Sequence, residues 1–175
     1  MIGPLLLAVS WLLLHLEGRG LAALGLDKPV ERARQFALGF LFLGTASAVQ
    51  QLGLSLAAGD PFVLNATVGP GALLNSLRFT VNSVLYEELV FRGYLLYQAI
   101  RILGPRRAVL LDAAAFGVYH WFSSGIIGNP VVMAYVFVLT GAFGLMWARA
   151  FVVTGSVVAP IGLHLTCSRR PCMRF

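Results

Sequence analysis

The sequence predicts an all-α fold, a multi-pass transmembrane helical bundle of about five to six spans. Three observations lead there. Of 175 residues, 58% are hydrophobic and only 11% charged, against about 25% charged in a soluble domain, so polar surface to face water all round is lacking. Mean hydropathy is +0.82. The apolar residues also fall in runs of helical length, separated by Gly, Pro and basic residues.

Leu5 to Leu16 is apolar but short of the ~20 residues that cross a bilayer. It has no basic leading segment and no small-residue cleavage site, so it reads as a short first span rather than a signal peptide. Residues 17–34 are polar and basic, with Arg19, Lys28, Arg32 and Arg34 beside Glu17, Asp27 and Glu31. Phe36 to Ala58 is long enough to cross. Gly59-Asp60-Pro61 is a turn signal, and the weakly apolar stretch up to Gly69-Pro70-Gly71 is expected at the interface or as a re-entrant turn.

From Ala72 a helical pattern runs to Leu103, interrupted only by Gly93. At 1.5 Å per residue it would be about 45 Å long, more than a bilayer core, and so should tilt or kink. Gly104-Pro105 stops it, next to Arg101, Arg106 and Arg107. Ala108 to Phe122 and Val131 to Val153 form further spans, divided by the turn signals Ser123-Ser124-Gly125 and Gly128-Asn129-Pro130. After Thr154-Gly155-Ser156 a last span begins at Val157 and runs to about Thr166.

This divides the chain into N-terminal spans with a basic loop (1–71), a core (72–168) and an atypical tail (169–175). The basic loops around 17–35 and 101–107, with Arg149, fall on one side, which places them in the cytoplasm. Arg169, Arg170 and Arg174 depart from that pattern. The protein is expected to be integral to a membrane, the prokaryotic cytoplasmic membrane given its compact size and short Arg-rich loops. The net charge of +6 sits between apolar segments as anchors to anionic lipid. No basic stripe interleaved with aromatics occurs, which argues against nucleic acid as a partner. Cys167 and Cys172 show neither zinc-finger spacing nor a disulfide framework. Gly44/Ala48, Ala113/Gly117 and Gly144/Ala148 are small-residue pairs that let helices pack closely and carry no functional message.

Ionisable groups within apolar helices carry the function, since each costs about 2.5–3.5 kcal/mol to insert at the bilayer centre. The first set is Tyr86-Glu87-Glu88-Leu89-Val90-Phe91-Arg92. Glu88 and Arg92 are four apart and pair on one helix face. Glu87 points about 100° away, with no partner in its own helix, as suits a general base or acid. The second set is Phe116-Gly117-Val118-Tyr119-His120, the third Gly162-Leu163-His164-Leu165-Thr166-Cys167-Ser168. Taken singly, each has an ordinary account as a polar clamp, an aromatic-belt histidine or a satisfied core histidine. Together they place one Glu pair and two of the chain's three histidines on three helices, enough for a site that activates water or binds a metal. His15 belongs to no such pattern.

In order, the three sets resemble the EExxxR, FxxxH and HxxxN motifs of the CPBP family, the type II CAAX prenyl endopeptidase and bacteriocin-processing (Abi) family, over roughly residues 72–168. The resemblance implies an intramembrane endopeptidase acting on prenylated CAAX-type proteins or on peptide or membrane-protein substrates. Glu87 with His120 would activate a water, Glu88 and Arg92 would position and balance Glu87, and His164 would stabilise the oxyanion. Phe116 belongs to the second motif and supports the site. Ser168 stands where the family has asparagine and would share the oxyanion role from a shorter side chain. An altered or truncated reading frame at the C-terminus is an expectation consistent with both Ser168 and the tail. The family is often called a metalloprotease. Zinc on Glu87, His120 and His164 is therefore one expectation, and a metal-independent glutamate mechanism the other and the favoured one. Two further readings stand beside the protease. One is a catalytically impaired relative acting as a membrane immunity or scaffold protein. The other is a proton-relay transporter, against which the absence of an inverted repeat counts.

Overall fold

A computed structural model describes residues 2–59 and 69–167. The expected turn beyond Gly59, the interfacial stretch up to residue 68, and Ser168, Cys172 and the tail lie outside the described residues. Seven α-helices and no strand occur among those described. They are α1 (Gly3–Leu16), α2 (Pro29–Ala58), α3 (Pro70–Phe91), α4 (Tyr94–Leu103), α5 (Pro105–Ser123), α6 (Pro130–Thr154) and α7 (Val158–Cys167), with a 3-10 turn at Leu21–Leu24.

Proline sets where most of these helices begin. α1, α2, α3, α5 and α6 each carry one in their first two positions, where the missing N–H costs nothing and φ is already helical. Pro29 thus moves the start of α2 seven residues ahead of the expected Phe36, into the polar segment. Asn129 caps α6 by accepting from the Val132 N–H at 3.2 Å. The expected long helix from Ala72 is two helices. At Gly93 the backbone (φ −79°, ψ −130°) turns so tightly that a Cβ would lie 2.2 Å from the Leu89 carbonyl oxygen.

α2 packs along α7, α5 along α6, and α7 also meets α3 and α6. The α2–α7 approach is close because a Cβ on Gly162 would stand 2.4 Å from the Phe36 oxygen. The main apolar core gathers Leu14, Leu24, Leu96, Ala108, Val109, Ala148, Phe151 and Val157. α2 buries no residue of its own, and its Leu41, Phe42, Leu52 and Leu56 lie exposed, as do Leu73, Leu74, Leu77 and Phe79 of α3 and Val131, Val138 and Val153 of α6. Such apolar outer faces suit lipid as solvent. The stretch Leu21–Ala58 and α6 are each long and apolar enough to cross a membrane; α1 is apolar but shorter. α3 and α5 have 22 and 19 residues, a span's length, but carry charges such as Glu87, Glu88 and Asp112.

The polar segment before α2 is pinned to the α6–α7 turn. Val157 N–H donates to the Leu24 carbonyl at 3.0 Å, Ser156 Oγ to that of Gly25 at 3.1 Å, and Arg32 Nη1 to that of Thr154 at 3.2 Å while its Nη2 meets Asp27 at 2.9 Å. Gly25 has φ +67°, and a Cβ there would fall 2.2 Å from the Gly155 oxygen. Gly25→Ala should therefore destabilise the protein by about 1–3 kcal/mol. Gly20→Ala, in open space, should leave the unfolding midpoint in detergent unchanged. Equal midpoints would show that the turn does not need this close approach.

A second strap joins the end of α1 to α4. Glu17 accepts hydrogen bonds from Tyr94 and Gln98 and pairs with Arg101 at 2.7 Å. The Tyr94 hydroxyl first, and then Arg101, hold its carboxyl below the ordinary glutamate range against partial desolvation. A depressed carboxyl stabilises the fold above that range, near pH 4.3, and the contribution is lost as pH falls through the folded-state value. Wild type should thus be more stable than Glu17→Gln at neutral pH, with the gap closing as pH falls below the ordinary glutamate range. A gap that does not change with pH would contradict this.

Candidate active site

The C-terminal end of α3, the face of α5 bearing residues 112, 116 and 120, the middle of α6 and the body of α7 meet around one guanidinium. Arg92 is fully buried, as is Glu88. Its Nη1 lies 3.4 Å from Glu88 Oε1, its Nη2 donates to the Gly144 carbonyl at 3.1 Å, and its Nε sits 3.0 Å from Asp112 Oδ2. The contact with Asp112 is ionic rather than an aligned hydrogen bond. The guanidinium carbon also stands 4.4 Å from the centre of the Phe116 ring, a cation–π position. The expected Glu88–Arg92 pair is present.

His164 joins both glutamates. Its Nδ1 lies 2.7 Å from Glu88 Oε1; since a carboxylate oxygen accepts, the ring donates. Its Nε2 stands 3.7 Å from Glu87 Oε2. Trp147 stacks on the imidazole, ring centres 3.7 Å apart and planes 20° off parallel, which fixes the ring's orientation. Glu87 retains 14% of its side-chain exposure where Glu88 has none, so Glu87 is the carboxylate facing the open side of the cluster. The expectation that Glu87 has no partner in its own helix is corrected: Ser83, one turn earlier, hydrogen-bonds its carboxylate.

His120 arrives from α5. Its Nδ1 lies 2.9 Å from the Phe116 carbonyl, so Nδ1 carries the donated hydrogen and Nε2 keeps its lone pair free to accept. The Phe116 ring stands between the two histidines, 4.5 Å from His120 and 6.2 Å from His164, centre to centre. His15, outside this group, stacks on Trp11.

The structure thus gathers Glu87, Glu88, Arg92, Phe116, His120 and His164; Ser168 lies outside the described residues. It adds three residues that the motifs did not supply. Asp112 had a signal, a charge within an apolar helix one turn before Phe116 and two before His120. Trp147 had none, because an aromatic residue in an apolar helix reads as core. Gly144 was read only as a packing residue, yet its carbonyl receives Arg92, and a Cβ there would lie 3.1 Å from Nη2 and 3.2 Å from Phe116.

A zinc site needs nitrogen and oxygen donors converging at about 2.0–2.2 Å on one point. Among the described residues no three His, Cys, Asp or Glu side chains are so arranged. As placed, Glu87, His120 and His164 do not converge as such a set, and the steps below use these side chains alone.

Fold and site define the class: a helical membrane protein with a buried carboxylate–arginine–histidine centre. The chain belongs to the type II CAAX prenyl endopeptidase, Rce1-like family, whose model matches residues 69–168, and that family is integral to membranes. Over 101 residues it is 33% identical to CAAX prenyl protease 2 of Homo sapiens, an alignment covering 53% of this chain and 31% of that protein. The chain thus matches about a third of that relative's length. No solved structure matches it.

Proposed function

We propose that this protein is an intramembrane endopeptidase that hydrolyses a peptide bond with a water activated by Glu87 and His120. The observation that carries this reading is the meeting of three motifs, distant in sequence, around the buried Arg92. Glu87 is the less buried of the two adjacent carboxylates, suited to take a proton from water. The free Nε2 of His120 is a second acceptor on the other side of Phe116. Proton transfer by such positioned groups contributes about 10²- to 10⁴-fold. Glu88 and Arg92 hold the centre in place. His164, tethered by Glu88 and flattened against Trp147, is assigned to the developing oxyanion, a role that Ser168 shares. No metal enters these steps.

A substrate chain held at the membrane by a lipid group matches a site buried in an apolar bundle, so a prenylated CAAX-type C-terminus is the first substrate to test, and an unlipidated peptide or membrane-protein segment the second. The Arg-rich short loops support a cytoplasmic membrane of prokaryotic type with those loops in the cytoplasm. Purified protein in nanodiscs should cleave a farnesylated CAAX peptide, and His120→Ala should not. Equal cleavage by both would remove His120 from the mechanism.

One sequence observation favours a second reading, a relative that keeps the fold with impaired cleavage: Ser168 stands at the family's asparagine. Losing an oxyanion donor costs about 10²- to 10³-fold. Under this reading, Ser168→Asn raises a slow rate toward that extent; an unchanged rate would count against it.

A further inference from the structure

Two carboxyl groups contact the one guanidinium of the site, and the motifs account for only one. Glu88 Oε1 is shared between Arg92 at 3.4 Å and His164 at 2.7 Å. Asp112 approaches the same guanidinium more closely, at 3.0 Å, through Nε. It comes from α5, where residues 112, 116 and 120 lie one turn apart and share a face. That face sets a carboxyl, the Phe116 ring and His120 in one row against Arg92 and His164. Asp112 is buried with 5% of its side chain exposed, and the remaining guanidinium contacts are the Gly144 carbonyl and the rings of Phe91, Phe116 and Trp147.

We infer that Asp112 is a positioning residue of the reaction: by holding Arg92 Nε, it keeps the guanidinium from closing on Glu88 and so leaves Glu88 free to orient His164. The inference rests on the protease reading above. The charged groups facing Arg92 are then Glu87 and Glu88 of α3, Asp112 of α5 and His164 of α7. From α6 come only the Gly144 carbonyl and Trp147. Without Asp112, the whole guanidinium charge falls to Glu88, which must then divide the same oxygen between a tighter ion pair and His164. The consequence is a misplaced imidazole rather than a lost substrate contact, so kcat should fall while KM holds.

The test compares wild type, Asp112→Asn, Arg92→Lys and the double variant on a farnesylated peptide, with folded protein quantified by size exclusion. Asp112→Asn keeps shape and an acceptor oxygen. Its kcat per folded molecule should fall about 10- to 100-fold, the usual cost of removing a partner that orients a site residue, with KM within about twofold. Arg92→Lys deletes the Nε that Asp112 holds, together with the Nη contacts to Glu88 and Gly144, and should lose at least as much. The double variant should lose no more than Arg92→Lys alone, because that change already removes the Nε contact that Asp112→Asn breaks. A purely structural role would instead reduce folded yield and leave kcat per folded molecule unchanged, and that result overturns the inference, as does a double variant whose losses multiply. Should Asp112→Asn not fold, Arg92→Lys carries the test, and wild-type kcat in it overturns the assignment. A folded wild type that cleaves no substrate refutes the protease reading itself and the inference with it; a cleaving wild type with an unaffected Asp112→Asn refutes the inference alone.

Discussion

Glu87→Gln is expected to abolish peptide cleavage while leaving the helical bundle intact. The substitution preserves the side chain's size and removes only its capacity to accept a proton. Glu87 lies at the cluster's open side, 3.7 Å from His164 Nε2, and takes no part in the contacts that hold Arg92. The centre should therefore fold as before. The loss should reach about 10²- to 10⁴-fold, the range for a positioned general base, and KM should change little. Residual activity within about tenfold of wild type would move the base elsewhere, His120 being the next candidate. Glu88→Gln differs in kind: it weakens a buried ion pair and the His164 tether together, so its effect should appear in stability as well as in rate.

Arg92→Ala should have the largest effect on stability. Arg92 and Glu88 are both fully buried, and removing the cation leaves Glu88 and Asp112 facing one another without compensation. Breaking a buried pair by deleting one partner costs about 3–5 kcal/mol, a large share of the 5–15 kcal/mol that a typical fold has. The variant should lose most of its folded population in detergent at temperatures where Glu87→Gln is still folded. Arg92→Lys should recover part of that loss, since a single ammonium replaces the charge but not the three separate contacts. An Arg92→Ala protein as stable as wild type would mean that the carboxyl groups are neutralised by some other arrangement.

These two outcomes depend on features of unequal visibility in the sequence. The helical class, the turn at Thr154-Gly155-Ser156, the Glu88–Arg92 pair and the three motifs were legible, because periodicity and the cost of a charge in an apolar run are local properties. The helix break at Gly93 was visible only as an interruption, since its geometry depends on how α4 folds back against α1. The pinning of the polar segment onto the α6–α7 turn was not legible: Gly25, Arg32 and Ser156 look like ordinary loop and helix-start residues until the fold brings residues 25 and 155 together. Asp112 is the instructive case. Its charge within an apolar helix was a signal of the same kind as Glu87, with the same i, i+4 relation to Phe116 that links Glu88 to Arg92. The motif drew attention to the histidine two turns later and past the carboxylate. Trp147 and Gly144 carry no chemical signature of their own; only the arrival of His164 and Arg92 gives them a role.

The central claim is that a Glu87-activated water cleaves a peptide bond inside this bundle. It is tested most directly by incubating chelator-treated protein in nanodiscs with a farnesylated CAAX peptide in H₂¹⁸O and weighing the products. The account predicts cleavage with one ¹⁸O in the new carboxylate, no covalent enzyme adduct, and no product from Glu87→Gln. Cleavage that disappears on chelation and returns with zinc, or that continues in Glu87→Gln, would contradict it.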